Sequence, residues 1–286
     1  MKIGIVGNQL KNECGELSEE LQEWFGRRGV EAVSTLIRPA REMDQNPEEA
    51  GLEHCPELDG VIVLGGDGTL LRTARWVAAK GVPILGVNLG RLGFLTELEK
   101  MNMYEGLEAF LRGEYRIEER MMMETRLTRD QQVISATRSL NDVVIHRGPL
   151  ARIIAVEAYI DGQYFTAYEG DGVIVSTPTG STAYSLSAGG PIVSPTAPVM
   201  LVTPICPHTF YSRPLVISAE QRIKIILQPG FDTVMLTIDG QQGIHLEAKD
   251  EIDIFQSQVN TRLIKISGRH FFDVLREKLT QNDPVG

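Results

Sequence analysis

The stretch GVIVLGGDGT, at positions 60–69, decides the fold of the first part of the chain. Its apolar, largely β-branched beginning predicts a short buried strand, and the paired glycines Gly65 and Gly66 predict the end of that strand. Apolar residues at helical spacing follow from Leu70 to Ala78, so a helix is expected directly after the turn. Ligands of open α/β sheets bind at the carboxyl ends of strands. The stretch therefore predicts a strand, a binding turn and a helix.

Strands and helices alternate on both sides of this turn. The pattern predicts strands at Lys2–Val6, Val30–Ile37 and Pro83–Asn88, and helices around residues 17–25 and 103–112. Such alternation is typical of a mostly parallel sheet covered by helices. We expect a Rossmann-like α/β domain over residues 1–118.

From about Tyr115 the pattern changes to short β-branched segments that are separated by turn residues such as Asp161-Gly162 and Asp239-Gly240. This change predicts an antiparallel, β-sandwich-like domain over residues 119–268. An apolar stripe near the end of the chain predicts a helix within residues 269–286 that packs back on the first domain.

Composition excludes several classes of protein. The net charge of −10 argues against a nucleic-acid surface, and no apolar run approaches the roughly 18 residues of a membrane span. The first residues of the chain lack the features of a signal peptide, which predicts a cytoplasmic protein. The spacing of Cys14, Cys55 and Cys206 indicates no metal site. The acidic residues 41–60 are expected to form a solvated loop with some helix.

The glycine-rich turn has the chemistry of a phosphate site. Glycines allow the backbone to approach a phosphate closely, and free N–H groups at a helix start attract anions. Asp67 adds a carboxylate to this turn. It could serve as the base for an attacking hydroxyl, as a partner of bound Mg²⁺, or only as the cap of the helix.

Two further segments carry polar groups that suit a nucleotide. Asn141 and Asp142 directly precede a predicted strand and offer donors and acceptors for an adenine edge or a ribose, or else form an Asx turn that starts the strand. The run STPTGSTAYSLSAGGP, at positions 176–191, exposes many N–H and O–H donors, with Tyr184 as a stacking surface.

Together with the segment at 204–215, these motifs resemble the NAD kinase family from about Val61 to Gln241. The GGDGT turn by itself also resembles the phosphate-donor loops of lipid kinases and phosphofructokinases, but the long run at 176–191 is specific to NAD kinases. An NAD-dependent oxidoreductase would carry G-x-G-x-x-G after its first strand, and this chain does not.

The resemblance implies transfer of the γ-phosphate of ATP to the adenosine-ribose 2′-hydroxyl of NAD, which gives NADP. It implies NAD bound in a cleft between the two domains, ATP or polyphosphate as donor, Mg²⁺ that arrives with ATP, and a homodimer or homotetramer. A diacylglycerol-type lipid kinase and a non-catalytic dinucleotide sensor remain the alternatives.

The resemblance also implies roles for single residues, with Asp67 as the general base and Arg72 near the phosphates. Residues in both predicted domains match positions that contact the dinucleotide, some of them from an adjoining subunit: Asp67, Gly68, Arg72, Asn141, Asp142, Arg152, Asp171, Thr182, Ala183, Tyr184, Ser185, Leu186, Ser187 and Gln241.

Overall fold

The computed structural model describes residues 1–9, 12–37, 57–90, 93–149, 152–208, 212–230 and 233–281. These residues form two compact units. The first comprises the described residues up to Glu119 and those from Thr261 onward, and the second comprises residues 120–260. The sequence placed these divisions after residues 118 and 268. Residues 41–56 of the predicted acidic loop lie outside the described residues.

The first unit begins as an α/β structure. Its strands are β1 (Lys2–Asn8), β2 (Glu31–Ile37), β3 (Gly60–Leu64), β4 (Ile84–Asn88) and β5 (Leu98–Glu99). Its helices up to residue 119 are α1 (Asn12–Gly26), α2 (Asp67–Val77) and α3 (Met103–Leu111). The strands pair in parallel in the order β2-β1-β3-β4-β5. This is the parallel sheet that the alternation predicted.

Apolar side chains of the strands and helices form the core of this unit. Ile62 and Leu64 of β3 pack with Leu21 and Phe25 of α1 and with Phe110 of α3. All five are buried. Because β3 is covered by neighbours along its whole length, the turn that follows it starts from a rigid strand.

The second unit is built of antiparallel strands, of which the first begins and the last ends among residues of the first unit. They are β6 (Arg116–Arg129), β7 (Gln132–Ser139), β8 (Asp142–Arg147), β9 (Ile154–Ile160), β10 (Gln163–Gly170), β11 (Gly172–Ser176), β12 (Val199–Ile205), β13 (Leu215–Ser218), β14 (Ile223–Leu227), β15 (Val234–Ile238), β16 (Gln242–Leu246) and β17 (Glu251–Lys265). A short helix, α4 (Tyr184–Ser187), lies between β11 and β12.

These strands form two layers. One layer has the order β13-β12-β11-β8-β15-β16, and the other contains β10-β9-β14-β17 with the hairpin β6-β7. Buried side chains from both layers, such as Ile145 of β8 and Ile225 of β14, belong to one hydrophobic cluster. The second unit is therefore an antiparallel β-sandwich, and the predicted fold class of the chain is confirmed.

The end of the chain returns to the first unit. Leu263, near the end of β17, pairs in parallel with Ile84 of β4. The helix α5 (Phe271–Gln281) follows, and its Phe271 ring lies 6.2 Å from the ring of Phe94. None of the described helices is both long and apolar enough to span a membrane.

Several strands of the second unit were not predicted. The hairpin of β6 and β7 turns at Asp130 and Gln131, both with positive φ, and neither residue is the glycine that marks such turns. Most of β17 was also missed, although Ile252 and Ile254 alternate with polar residues at its start.

A buried ion pair in the second unit gives a test of the fold. Arg129 donates to both oxygens of Asp250, at 2.8 Å from Nε and 2.7 Å from Nη2, and the Asp250 side chain is 0% exposed. Arg129→Met leaves this carboxylate without its cation, so the free energy of unfolding should fall by about 3–5 kcal/mol in urea titrations. Arg126→Met, on the same strand, removes an exposed pair with Glu124 and should lower it by at most about 1 kcal/mol. Equal losses of unfolding free energy in the two variants would contradict the role of the Arg129–Asp250 pair as a buried ion pair.

Candidate functional site

The glycine-rich turn connects β3 to α2. The Gly65 N–H donates to Val87 O of β4 at 3.0 Å, and a Cβ on Gly65 would lie 2.6 Å from Thr69 Oγ1. Gly66 is the N-cap of α2, in an extended conformation and without a side-chain cap hydrogen bond. The turn therefore depends on a glycine at position 65, where no side chain fits against the helix.

The carboxylate of Asp67 is held by backbone amides of a later loop. Phe94 N–H donates to Oδ2 at 2.8 Å and Leu95 N–H donates to Oδ1 at 3.1 Å. Interpreting Asp67 only as a helix cap is wrong, because the cap residue is Gly66 and the carboxylate binds elsewhere. Each carboxylate oxygen keeps acceptor capacity beyond one such bond. Asp67, which is half-buried, can therefore still accept a proton or contact a cation.

Gly68 and Arg72 occupy the first turns of α2 after Asp67. Gly68 is exposed, and the Arg72 guanidinium lies 5.3 Å from the ring centroid of Trp76. The guanidinium therefore contacts a residue one turn further along α2.

In the second unit, Asp239 organises the segment before β8. Its carboxylate accepts hydrogen bonds from the N–H groups of Leu140 at 3.2 Å, Asn141 at 2.8 Å and Asp142 at 3.2 Å. In return the Asp239 N–H donates to Asp142 O at 2.9 Å. These bonds fix the backbone from which the Asn141 and Asp142 side chains project.

The run at 176–191 packs against the same segment. Thr177 Oγ1 donates to Leu140 O at 2.5 Å, and the Thr177 N–H donates to Asn141 O at 2.9 Å. A Cβ on Gly180 would lie 2.1 Å from Asn141 O, so only glycine permits this approach. The two sequence-predicted segments are thus brought into direct contact.

A cavity of about 380 Å³ opens beside these segments. It is lined by β8 and the residue before it, by the 176–191 run, and by β15 and the turn after it. The lining residues are Asn141, Asp142, Val144, His146, Ala183, Tyr184, Thr237, Asp239 and Gly240. Among the described residues, the amide group of Asn141 has no hydrogen-bond partner, which disfavours the Asx-turn interpretation. Binding cavities of small molecules begin at about this size.

Burial perturbs the Asp142 carboxyl in this cavity. Desolvation, followed by repulsion from Asp239, raises the pKa of Asp142 from 3.8 to about 7, although a hydrogen bond from the Tyr184 backbone opposes this shift. Asp142 is consequently poised to donate as well as accept a hydrogen bond near neutral pH.

Five lining residues were not among the predicted site residues: Val144, His146, Thr237, Asp239 and Gly240. His146 Nε2 lies 2.7 Å from Thr237 Oγ1, and His146 Nδ1 lies 2.9 Å from Arg147 O. His146 was detectable, because side chains at alternate positions of a strand share one face and Asp142 was already assigned. Asp239 had been interpreted only as a turn residue, and no local pattern marked Thr237.

The other predicted residues have different surroundings. Ser185 is fully buried and its hydroxyl lies 2.9 Å from Thr203 Oγ1, while Thr182 Oγ1 donates to Thr179 O at 3.2 Å. Leu186 is half-buried and Ser187 is exposed, both on α4. These side chains do not line the cavity.

Asp171, Arg152 and Gln241 also lie outside the lining of the cavity. Asp171 accepts a hydrogen bond from Arg147 Nε at 2.5 Å, and this contact lowers the pKa of Asp171 below its ordinary value. Arg152 is exposed just before β9, and Gln241 N–H donates to Ile238 O at 2.9 Å in the turn after β15.

No group of three or more His, Cys, Asp and Glu side chains in the described part of the chain could enclose a metal ion. At the glycine-rich turn itself, Asp67 supplies a single carboxylate. This set of donors fits a magnesium ion that is held mainly by the phosphates of a nucleotide, as magnesium commonly is.

Two models of known protein families match this chain. Residues 3–115 match the ATP-NAD kinase N-terminal domain, and residues 140–266 match the ATP-NAD kinase C-terminal domain. The chain belongs to the NAD kinase family. The family predicted from the motifs is confirmed.

Relatives in this family match over nearly their whole length. An NAD kinase of Natranaerobius thermophilus is 47% identical over 99% of both chains, and one of Moorella thermoacetica is 45% identical over 98% of this chain and 89% of its own. These matches give no support to a lipid kinase or to a non-catalytic sensor.

Solved structures of NAD kinases have the same fold. Yeast NADH kinase in complex with NADH superposes with a TM-score of 0.85 over 100% of this chain and 89% of its own, at 25% identity. An NAD kinase from Archaeoglobus fulgidus in complex with ATP gives a TM-score of 0.76 over 99% and 100%, also at 25% identity.

The raised pKa of Asp142 predicts a pH dependence of stability. The folded protein holds this proton more tightly than the unfolded chain, so the contribution is complete below about pH 4 and is lost as the pH rises through about 7. Asp142→Asn removes the titrating group. Its melting temperature should therefore fall less between pH 5 and pH 8 than that of the parent, as measured by circular dichroism. Parallel pH profiles of the two proteins would refute this prediction.

Proposed function

We propose that this chain transfers the γ-phosphate of ATP to the adenosine-ribose 2′-hydroxyl of NAD, giving NADP. The observation that carries this proposal is the Asp67 carboxylate, held by the Phe94 and Leu95 amides at a glycine-rich turn after a parallel strand. In a chain of the NAD kinase family, that arrangement supplies a fixed proton acceptor where phosphate can bind.

Phosphoryl transfer asks a protein mainly for alignment and charge neutralisation. Asp67 accepts the proton of the 2′-hydroxyl as its oxygen attacks the γ-phosphorus, and the bond from that phosphorus to ADP breaks. Gly68 leaves room for the substrate beside Asp67, and Arg72 lies near the phosphates. Magnesium, arriving with ATP, neutralises charge on the transferred phosphate when bound.

The cavity of the second unit suits the adenosine half of NAD. The Asn141 amide offers both a donor and an acceptor to an adenine edge, and the neutral form of Asp142 adds a second donor. Tyr184 presents an exposed ring on which a base can stack. Ala183 lines the same cavity without filling it.

Further contacts are proposed from the family resemblance. The hydroxyl and backbone groups of Thr182, Ser185, Leu186 and Ser187 extend the adenosine site, and contacts from an adjoining subunit come from among Arg152, Asp171 and Gln241. We propose a homodimer or homotetramer for this reason. The proposed location is the cytoplasm, because the first residues lack the features of a signal peptide.

The donor and acceptor are tested together in one assay. Purified protein is incubated with NAD and Mg²⁺ plus ATP, polyphosphate or no donor, and NADP is measured with a dehydrogenase that uses only NADP. NADP formation with ATP is the expected result. Its absence with both donors would refute the proposed function, and formation with polyphosphate alone would reassign the donor.

Asp67 is tested by Asp67→Asn. The loss of the proton acceptor should lower kcat at least about 100-fold, while NAD affinity by calorimetry stays close to that of the parent. Asp59→Asn is the matched control at the other end of β3, where the carboxylate is 58% exposed and accepts from Lys2 N–H at 2.7 Å. The control should keep parental turnover. Retention of more than about a tenth of turnover by Asp67→Asn would rule out the base.

Tyr184 is tested against a second exposed tyrosine. Stacking on a base contributes roughly 1–3 kcal/mol, so Tyr184→Ala should weaken NAD binding about 5- to 150-fold in calorimetry. Tyr164→Ala, on β10 and outside the cavity, should leave the affinity unchanged; Tyr164 is 59% exposed and Tyr184 46%. The stacking role is excluded if both variants bind NAD equally well.

A further inference from the structure

The loop at residues 93–97 is shaped around the Asp67 carboxylate. A Cβ built on Gly93 would lie 1.9 Å from Asp67 Oδ1 and 2.6 Å from Asp67 Cγ. The next two residues, Phe94 and Leu95, direct their N–H groups at the two carboxylate oxygens. The absence of a side chain at Gly93 and the N–H groups of Phe94 and Leu95 therefore all accommodate the Asp67 carboxylate.

The loop is anchored at its far end by a buried cluster around Glu97. Glu97 Oε1 accepts hydrogen bonds from Ile266 N–H at 2.7 Å, Ser267 N–H at 2.6 Å and Ser267 Oγ at 2.7 Å, and Oε2 pairs with Lys265. The Glu97 and Lys265 side chains are nearly inaccessible.

The Glu97 carboxyl remains ionised although it is buried. Desolvation by itself would raise the pKa of Glu97, but Lys265 and the hydrogen bonds from Ser267 outweigh it, and the pKa is lower than its ordinary value. An ionised carboxylate that accepts several N–H and O–H bonds is a strong anchor. Residues 265–267 consequently hold the end of the loop in place.

Other contacts fix the loop along its length. Gly93 N–H donates to Thr96 Oγ1 at 3.2 Å, and Glu97 N–H donates to Gly86 O of β4 at 2.9 Å. The Phe94 ring packs near Phe271 of α5 and has Lys278 Nζ 5.0 Å from its centroid. The donors that face Asp67 are thus held by β4 and by the end of the chain.

We propose that residues 93–97 form a positioning loop that holds the Asp67 carboxylate in its reactive orientation, with Gly93 and Glu97 as its positioning residues. The proposal deepens the proposed function and rests on Asp67 acting as the base. Gly93 leaves the space, Phe94 and Leu95 supply the donors, and Glu97 fixes the loop through Lys265 and Ser267. None of these side chains needs to touch a substrate for this role.

Gly93→Ala tests the proposal most directly. The new methyl group coincides with the end of a side chain that can rotate away, so the fold should tolerate it while the carboxylate moves. A misplacement of about 1 Å can lower turnover about 100-fold, and we expect kcat to fall to that extent with the NAD KM within about threefold of the parent. Gly106→Ala is the matched control, because its methyl group would crowd Leu98 of the same unit at 2.4 Å. It should keep kcat.

The anchor is tested with two double variants. Glu97→Leu with Lys265→Met removes the hydrogen bonds of Glu97 without leaving a buried charge, and should lower kcat about 10-fold or more with little change in KM. Glu97→Gln with Lys265→Met keeps an oxygen that can accept from Ile266 and Ser267, and should recover most of that loss. A role in stability alone would lower the melting temperature of both double variants and leave kcat at low temperature unchanged.

Amide hydrogen exchange tests the contact without any turnover. On protein labelled with ¹⁵N-Phe and ¹⁵N-Leu, the Phe94 and Leu95 amides should exchange at least about 10-fold faster in Gly93→Ala than in the parent or in Gly106→Ala. Equally slow exchange, or parental kcat in folded Gly93→Ala, would overturn the positioning role. A parent that forms no NADP but shows this exchange pattern would refute the proposed function and leave the loop contact supported.

Discussion

The carboxylate of Asp239 accepts hydrogen bonds from three successive backbone amides, and the cavity of the second unit depends on this interaction. Those bonds hold the bend at residues 140–141, from which the Asn141 side chain lines the cavity. Burial is the main reason that the pKa of Asp142 is raised, and the nearby Asp239 carboxylate raises it further. The residue that shapes the backbone of the site thus also adds to the pKa shift of the carboxyl that lines it.

The first unit also contains two carboxylates that accept backbone N–H groups, and the two differ in their roles. Glu97 is buried, saturated with donors and paired with Lys265, so its carboxylate can act only as an anchor. Asp67 accepts two amides but remains half-exposed, and its oxygens retain capacity for another partner. Because Asp67 is accessible to solvent and Glu97 is not, only Asp67 can react with a bound substrate.

The parts of the fold that the sequence predicted are those with a local signal. The strand at 60–64 was predicted with its observed bounds, because a short apolar run leads directly into two glycines. Asn141 and Tyr184 were found as members of motifs. By contrast, no sequence pattern links Asp67 to the amides of Phe94 and Leu95, or Glu97 to Lys265, because these contacts join residues far apart along the chain. Backbone donors also carry no side-chain identity that a motif could reveal.

The near-coincidence of a Gly93 methyl position with the Asp67 carboxylate also constrains how this chain can change over time. Any larger residue at 93 displaces the carboxylate at 67 unless that carboxylate has already been lost. The two positions are therefore mutationally coupled: a substitution at 93 that is harmful beside aspartate becomes neutral beside a smaller residue. Lineages that lose the carboxylate of Asp67 should therefore accumulate larger side chains at position 93.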